Sequence, residues 1–335
     1  MPLITDFFRD DAFSAVELTT QINKEPFLPT LNGESVFQAI SVPTIDVALE
    51  VEKGKFCILD VRPRGAPPPE NTLVQPEFYS VRTRMINDSI TIQSEQLQGI
   101  VGMPYSTQFQ TLQSLVARGQ AMMRRNMVAT YRQSYLACLQ GKWINNGRTI
   151  IDWYDYWGQA QAAEIDFALT TDTTDVLGKC EQVRYQMSRS SDGMVPEDVM
   201  IHGYMGRNFS AALRGHKAVK DTYMGFADAR EYRNERTFNS FEYGGIMWHN
   251  FRGTADDTTI AIPDNKVIFY PVGTDIFKVF YGPHDSFATV NTPGVPMYVV
   301  QTFDRDRDQW VRYENWTYPL IACLQPACLQ RGKKA

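Results

Sequence analysis

The segment Phe303–Asn315, FDRDRDQWVRYEN, has the spacing of a metal site. Asp304, Asp306 and Asp308 alternate as the first three ligands of a calcium loop do. The rest of that loop is missing. Its sixth position calls for glycine and holds Gln309, and its twelfth calls for glutamate and holds Asn315. Arg305 and Arg307 would repel a cation, so a charged turn between two strands is expected. Cys180 and His202 are the residue types of a thiolate nucleophile and its base, but nothing near either marks such a pair, and packing is expected for both. Cys323 and Cys328, as C-x4-C, lack the second ligand pair of a structural zinc site. The run DWYDYW, Asp152 to Trp157, is expected to supply core or interface aromatics rather than a stacking platform. Arg118, Arg125 and Arg132 stand seven apart, close to two helical turns, with Arg124 adjacent. They form either a solvated face or a stripe turned toward a polyanion or acidic neighbours. No P-loop, dinucleotide fingerprint, nucleophile elbow or metalloprotease helix occurs. No catalytic residue, cofactor or metal is expected.

The arginine stripe needs a helix, and the pattern supplies a long one over Ser106–Gln140. Phe109, Leu112, Leu115, Val116, Met122, Met123, Met127, Tyr131, Tyr135 and Cys138 recur at three- and four-residue steps. At ~1.5 Å per residue it spans roughly 50 Å. Before it, Thr44 opens strand chemistry, with Ile45, Val47, Leu49 and Val51 alternating and Phe56 to Val61 continuing. Lys53-Gly54 interrupts this as a turn or as a bulge. With a bulge, Thr44–Val61 is one strand of ~60 Å, against a radius of gyration of roughly 20 Å for a compact body of this length. Such a strand projects. Its tip, Arg62 to Pro69, cannot continue a sheet, because each proline removes a ladder donor. Glu77–Ile92 is expected to return as strand. Further helices are expected over Asp11–Ile22, Thr174–Ser190 and Arg207–Arg214, and hairpins turn at Asn146-Gly147 and Gly244-Gly245. Strands and turns fill Lys266–Leu324.

The chain has 335 residues, 43% hydrophobic and 21% charged, enough for a substantial core in one large or two intimate domains. A net charge of -5 does not advertise a nucleic-acid binder. The five cysteines, Cys57, Cys138, Cys180, Cys323 and Cys328, are odd in number and scattered, which fits a reducing compartment. The start, MPLITDFFRDDAF, is acidic where a signal peptide is basic, and no apolar run reaches the ~18–20 residues of a membrane span. A cytosolic product is expected. A projecting arm, one very long helix, a mixed body and no catalytic centre together suit a polymerising subunit.

Particular stretches carry a family resemblance. DDAFSAVELTTQINKEPFLPTLNGESVFQ followed by VALEVEKGKFCILDVRPRGAPP resembles the opening of the lambda-type major capsid proteins of tailed phages, the capsid protein E family. The recurring Asp-Ala-Phe-Ser falls on Asp11–Ser14, Ile-Asn-Lys-x-Pro on Ile22–Pro26, and Pro-Arg-Gly on Pro63–Gly65. The likeness continues through QLQGI, the arginine-bearing helix ending in LQGKW, MIHGYMGRNFSAALRGHKAVKD and IPDNKVIFYPVG. It is weakest over Gly158–Asp172 and Asp285–Pro296.

The resemblance implies an α+β tailed-phage capsid fold, Hong Kong 97-like. Residues 1–43 would be the N-terminal arm and 44–93 the extended β loop. Residues 94–172 would form the peripheral domain with its spine helix 106–140, 173–294 the axial domain, and 295–335 strands returning to the peripheral domain. The chain would be a structural protein that self-assembles through pentamers and hexamers into an icosahedral shell around double-stranded DNA. Arg62, Arg64, Gly65, Phe78, Arg82 and Arg84 would serve inter-subunit contact along the extended loop, and Arg118, Arg125 and Arg132 would face the interior and the DNA. Expected partners are a separate scaffolding protein or none, since no charged helical segment precedes the arm, together with a decoration protein, a portal at one vertex and the packaged DNA, held non-specifically. No membrane partner is expected. The location would be the virion, after assembly in the host cytoplasm. The alternative is the shell of a cellular encapsulin-like nanocompartment.

Overall fold

The computed structural model describes residues 14–24, 36–51, 77–97, 105–191, 195–196, 198–224, 240–253 and 260–334. In chain order the helices are α1 (Ala15–Lys24), α2 (Ser94–Leu97), α3 (Tyr105–Cys138), α4 (Trp153–Trp157), α5 (Val176–Ser190), α6 (Arg207–Gly215) and α7 (Lys217–Met224). The strands are β1 (Gln38–Ser41), β2 (Asp46–Val51), β3 (Glu77–Arg82), β4 (Ile86–Gln93), β5 (Lys142–Asn145), β6 (Arg148–Asp152), β7 (Ile165–Asp166) and β8 (Met200–Met205). They continue with β9 (Ser240–Tyr243), β10 (Ile246–Asn250), β11 (Lys266–Val272), β12 (Phe277–Tyr281), β13 (Tyr298–Phe303), β14 (Trp310–Thr317), β15 (Pro319–Cys323) and β16 (Gln330–Lys333). The chain divides into two compact units. One gathers Met1–Val47, Val81–Ser134 and Lys278–Ile321, and the other Ala48–Ser80, Tyr135–Phe277 and Ala322–Ala335.

The first unit is built on the antiparallel sheet β13–β14–β4 and on α3. Along β14 burial alternates residue by residue, the period of a strand with one covered face. Val311, Tyr313, Asn315 and Thr317 are the buried set, and the register places Ile92, Ile90 and Asp88 beside Val311, Tyr313 and Asn315. Helix α3 lies over this face. Its buried stripe, Leu112, Val116, Met123, Met127 and Tyr131, has helical spacing. Three contacts fix its line: Gly119 over Ile90, Asn126 Nδ2 donating to Asp88 Oδ2 at 2.8 Å, and Tyr131 Oη 2.7 Å from Thr317 Oγ1. Gly119 is the close approach, since a Cβ there would stand 3.0 Å from Ile90 Cδ1.

Helix α1 covers the open edge of β13. The Val299 amide donates to Thr19 Oγ1 at 2.9 Å, and Asn23 Nδ2 donates to the Met297 carbonyl at 2.8 Å. These bonds occupy edge groups that would otherwise template another strand. Ser14 starts the helix by accepting the Glu17 amide, the first half of a capping box.

The second unit holds a six-stranded mixed sheet, β7–β16–β11–β8–β10–β9. One face carries a close aromatic cluster of Phe167, Phe209, Trp248 and Phe269, with ring centroids 5.4–6.1 Å apart. Gly203 on β8 makes room for it, since a Cβ would meet the Phe269 and Trp248 rings at 3.2–3.3 Å. The β5–β6 turn has positive φ at both Asn146 and Gly147, and the β9–β10 turn at Gly244 and Gly245. That is the hairpin geometry expected of those pairs. Helix α5 begins where Asp175 Oδ1 accepts the Gly178 amide at 3.0 Å, and it buries Val176, Cys180, Val183 and Met187.

One expectation is corrected. Glu77–Ile92 is not a single strand: it breaks at Thr83–Met85. The cause is a change of partner. Strand β3 pairs with β2, whereas β4 pairs with β14. Between them Thr83 turns inward, its amide and hydroxyl both bonded to the Ile45 carbonyl at 3.0 Å, and the Arg84 amide reaches the Pro319 carbonyl at 3.0 Å. Residues 52–76, including Lys53-Gly54 and the loop tip, lie outside the described residues.

Candidate assembly surfaces

Strands β2 and β3 form a two-stranded sheet of their own. Arg62, Arg64 and Gly65 lie outside the described residues, and Phe78 is part of β3. Arg82 Nε donates to Asp46 Oδ1 at 3.2 Å with both side chains more than half exposed, so the pair ties the two strands weakly, by about 0–1 kcal/mol. Arg84 is exposed. Where β3 enters the second unit it has aromatic company. Tyr79 meets Trp157 edge-on at 5.0 Å and lies 5.8 Å from Tyr156. Those rings belong to DWYDYW, which folds as α4: Asp152 caps its start, Gly158 closes it in the left-handed region, and Trp157 Nε1 donates to the Cys323 carbonyl at 2.9 Å. The run is therefore packing, and it holds one strand of the hairpin.

Arg118, Arg125 and Arg132 are all exposed along α3, opposite its buried stripe. The helix contains four arginines and no acidic residue. The sequence periodicity thus brings the three together on one face, and nothing in the helix itself neutralises them.

The other chemically able residues have structural roles. Asp304 accepts amides from Asp306, Arg307 and Gln309 at 3.1–3.3 Å, using both carboxylate oxygens to shape the β13–β14 turn. Desolvation alone would raise its pKa; the three amides outweigh it and hold the carboxyl below the usual range. Burial pushes the Cys328 thiol up to about 12 and the Cys323 thiol well above its ordinary value, so neither is a ready thiolate. Cys180 backs onto Gly244, where a Cβ would stand 2.6 Å from its own. His202 pairs with His249, Nδ1 to Nε2 at 2.9 Å, across β8 and β10. Burial and the neighbouring His202 hold the His249 pKa down at about 4.

Sequence reasoning missed one surface in the first unit. Phe287, on the 3-10 turn Phe287–Thr289, is fully exposed on the rim of an open cavity of about 630 Å³, which it lines with apolar Ile45 and Val290 and polar Asp46, Arg82 and Asn291. The available signal was a lone aromatic within the turn-forming run PHDSFATVNTPG. No helix of the described residues is long and apolar enough to cross a membrane.

Comparison with known proteins gives the family. The family model for phage major capsid protein E matches residues 14–334. The chain is similar to the major capsid protein of Pseudomonas phage KPP10, 27% identical over 206 residues, 56% of this chain and 57% of that protein. It is also similar to the major capsid protein of Salmonella phage Felix O1, 24% identical over 272 residues, 71% of this chain and 73% of that one. The alignment with the first of these spans little more than half of its length. Two solved structures share the fold. A prophage capsid protein from E. coli CFT073 has a TM-score of 0.51 at 15% identity, covering 78% of this chain and 82% of that one. The mature capsid of bacteriophage PhiM1 has a TM-score of 0.50 at 10% identity, covering 89% and 84%. With its family match running almost end to end, the chain belongs to the phage major capsid protein E family.

Proposed function

We propose that this chain is the repeating subunit of an icosahedral shell that encloses the double-stranded DNA of a tailed phage, a structural protein and not an enzyme. The observation that carries the reading is the family match over residues 14–334, with two major capsid proteins among its relatives. The described base of the loop is covered within the chain itself, with Val47, Leu49 and Val81 buried and Tyr79 against α4. The next subunit meets the rest of the loop, with Arg62, Arg64, Gly65, Phe78, Arg82 and Arg84 along the contact. Residues 1–43 act as the arm, 44–93 as the extended loop, 94–172 with 295–335 as the peripheral domain, and 173–294 as the axial domain.

In this reading Arg118, Arg125 and Arg132 face the packaged DNA. Their charge is offset by a net -5 over the whole chain, so the wall attracts the polyanion without holding it tightly. A separate scaffold directs assembly in the host cytoplasm, a portal occupies one vertex, and a decoration protein binds outside. Many weak contacts repeated by symmetry then make a stable particle. The test is negative-stain microscopy of the overexpressed chain beside a version lacking Arg62–Gln75. Closed particles from the first and folded, unassembled chains from the second are expected. Particles of normal size from the deletion would refute the role of the loop, and none from either, alone and with the scaffold supplied, would refute the shell.

A further inference from the structure

Phe287 is 101% exposed, the highest value among the large apolar side chains of the described residues. The turn beneath it is fixed by its own bonds. Thr289 Oγ1 donates to the His284 carbonyl at 2.6 Å and lies 2.8 Å from Ser286 Oγ, and Thr292 Oγ1 donates to the Thr289 carbonyl at 2.7 Å. Under the turn, the His284 ring is braced by Tyr298, Trp316 and Tyr318 at 5.5–5.6 Å. The ring is therefore held out in water by an ordered support, and seating it elsewhere costs little conformational entropy. Phe287 itself forms part of the rim of the open cavity of about 630 Å³, with Ile45, 44% exposed, and Val290, 60% exposed, beside it and Asp46, Arg82 and Asp285 also lining it.

We infer that Phe287 of one copy seats in this cavity of a second copy, as one repeated contact of the shell; the inference rests on the shell reading above. Two observations select a second copy as the occupant. The patch carries both a knob and a hole, so it complements itself, and like surfaces meet across a rotation axis. Its size points the same way. A fully exposed phenylalanine offers roughly 150–250 Å². A lone stable partner needs about 800 Å² per side. The patch is too small to hold one partner alone and sufficient when a lattice repeats it many times.

The test uses two chains in a Cys57→Ser background, one with Phe287→Cys and one, carrying a length tag, with Ile45→Cys. They are co-assembled, treated with a short bis-maleimide cross-linker and run on a denaturing gel. A band joining the two lengths is expected from particles and not from unassembled chains, with the Cys57→Ser parent as reference. In parallel, Phe287→Ser should leave the melting temperature of the unassembled chain unchanged and raise the concentration needed for assembly about tenfold or more. Particles that form as readily with Phe287→Ser and give no joint band would overturn the contact and leave the shell reading intact. A parent chain that forms no particles, alone and with the scaffold supplied, would overturn both.

Discussion

Gly119 sits in the middle of α3, where glycine costs about 0.8–1.0 kcal/mol relative to alanine. On helix propensity alone, Gly119→Ala stabilises the protein by that amount. The packing opposes it. The new Cβ would stand 3.0 Å from Ile90 Cδ1 and 3.3 Å from Cγ2. The Cδ1 contact is the tighter of the two and carries most of the clash, and overpacking of this kind costs about 1–3 kcal/mol. The net expectation is a change between neutral and about 2 kcal/mol destabilising. The background Ile90→Val removes Cδ1, the nearer atom, at its own cost of about 0.5–1.5 kcal/mol. There Gly119→Ala should recover most of its propensity gain, so the two substitutions couple by about 1 kcal/mol. The assay is urea unfolding of the unassembled chain for the parent, both singles and the double, compared at equal m-values. A gain of a full kcal/mol from Gly119→Ala in both backgrounds would show that α3 does not press on β4, and the account of the first unit would fail.

Replacing Arg118, Arg125 and Arg132 together with Gln removes three exposed charges, so the melting temperature of the unassembled chain should hold while the DNA content or curvature of particles changes; a collapse of the melting temperature would count against the inward-facing stripe. The His249 imidazole is held neutral to about pH 4 in the fold, whereas in the unfolded chain it titrates near 6.5. The unfolded state therefore takes up the proton first, and stability should fall as pH drops from about 6.5 to about 4. His249→Gln should flatten that slope, read from melting curves across the range, and an unchanged slope would locate the acid sensitivity elsewhere.

The long helix was legible because its burial is periodic along one element: Leu112 to Tyr131 repeat on one face whatever lies beneath them. The hairpin turns were legible for a local reason too, since Asn146-Gly147 and Gly244-Gly245 tolerate positive φ. The break after β3 was not. Glu77 to Ile92 keeps strand chemistry throughout, and what divides it is the exchange of β2 for β14 as partner. The parallel pairing of β1 with β12 joins residues about 240 apart and leaves no periodic trace. His202 and His249 stand 47 residues apart and meet only because β8 and β10 lie side by side. The arginine stripe was visible as spacing, whereas the exposure of Phe287 depends on a turn held by side-chain hydroxyls, which no hydrophobic pattern encodes.

The central claim is that this chain completes its structure by joining copies of itself. Sedimentation velocity of the purified full chain over a concentration series tests it most directly. The account predicts a sharp passage from a 38.2 kDa species to a single large closed particle, with little between them, because each weak contact counts only when the lattice closes. A chain that sediments as a monomer at every concentration, alone and with its scaffold supplied, would contradict it.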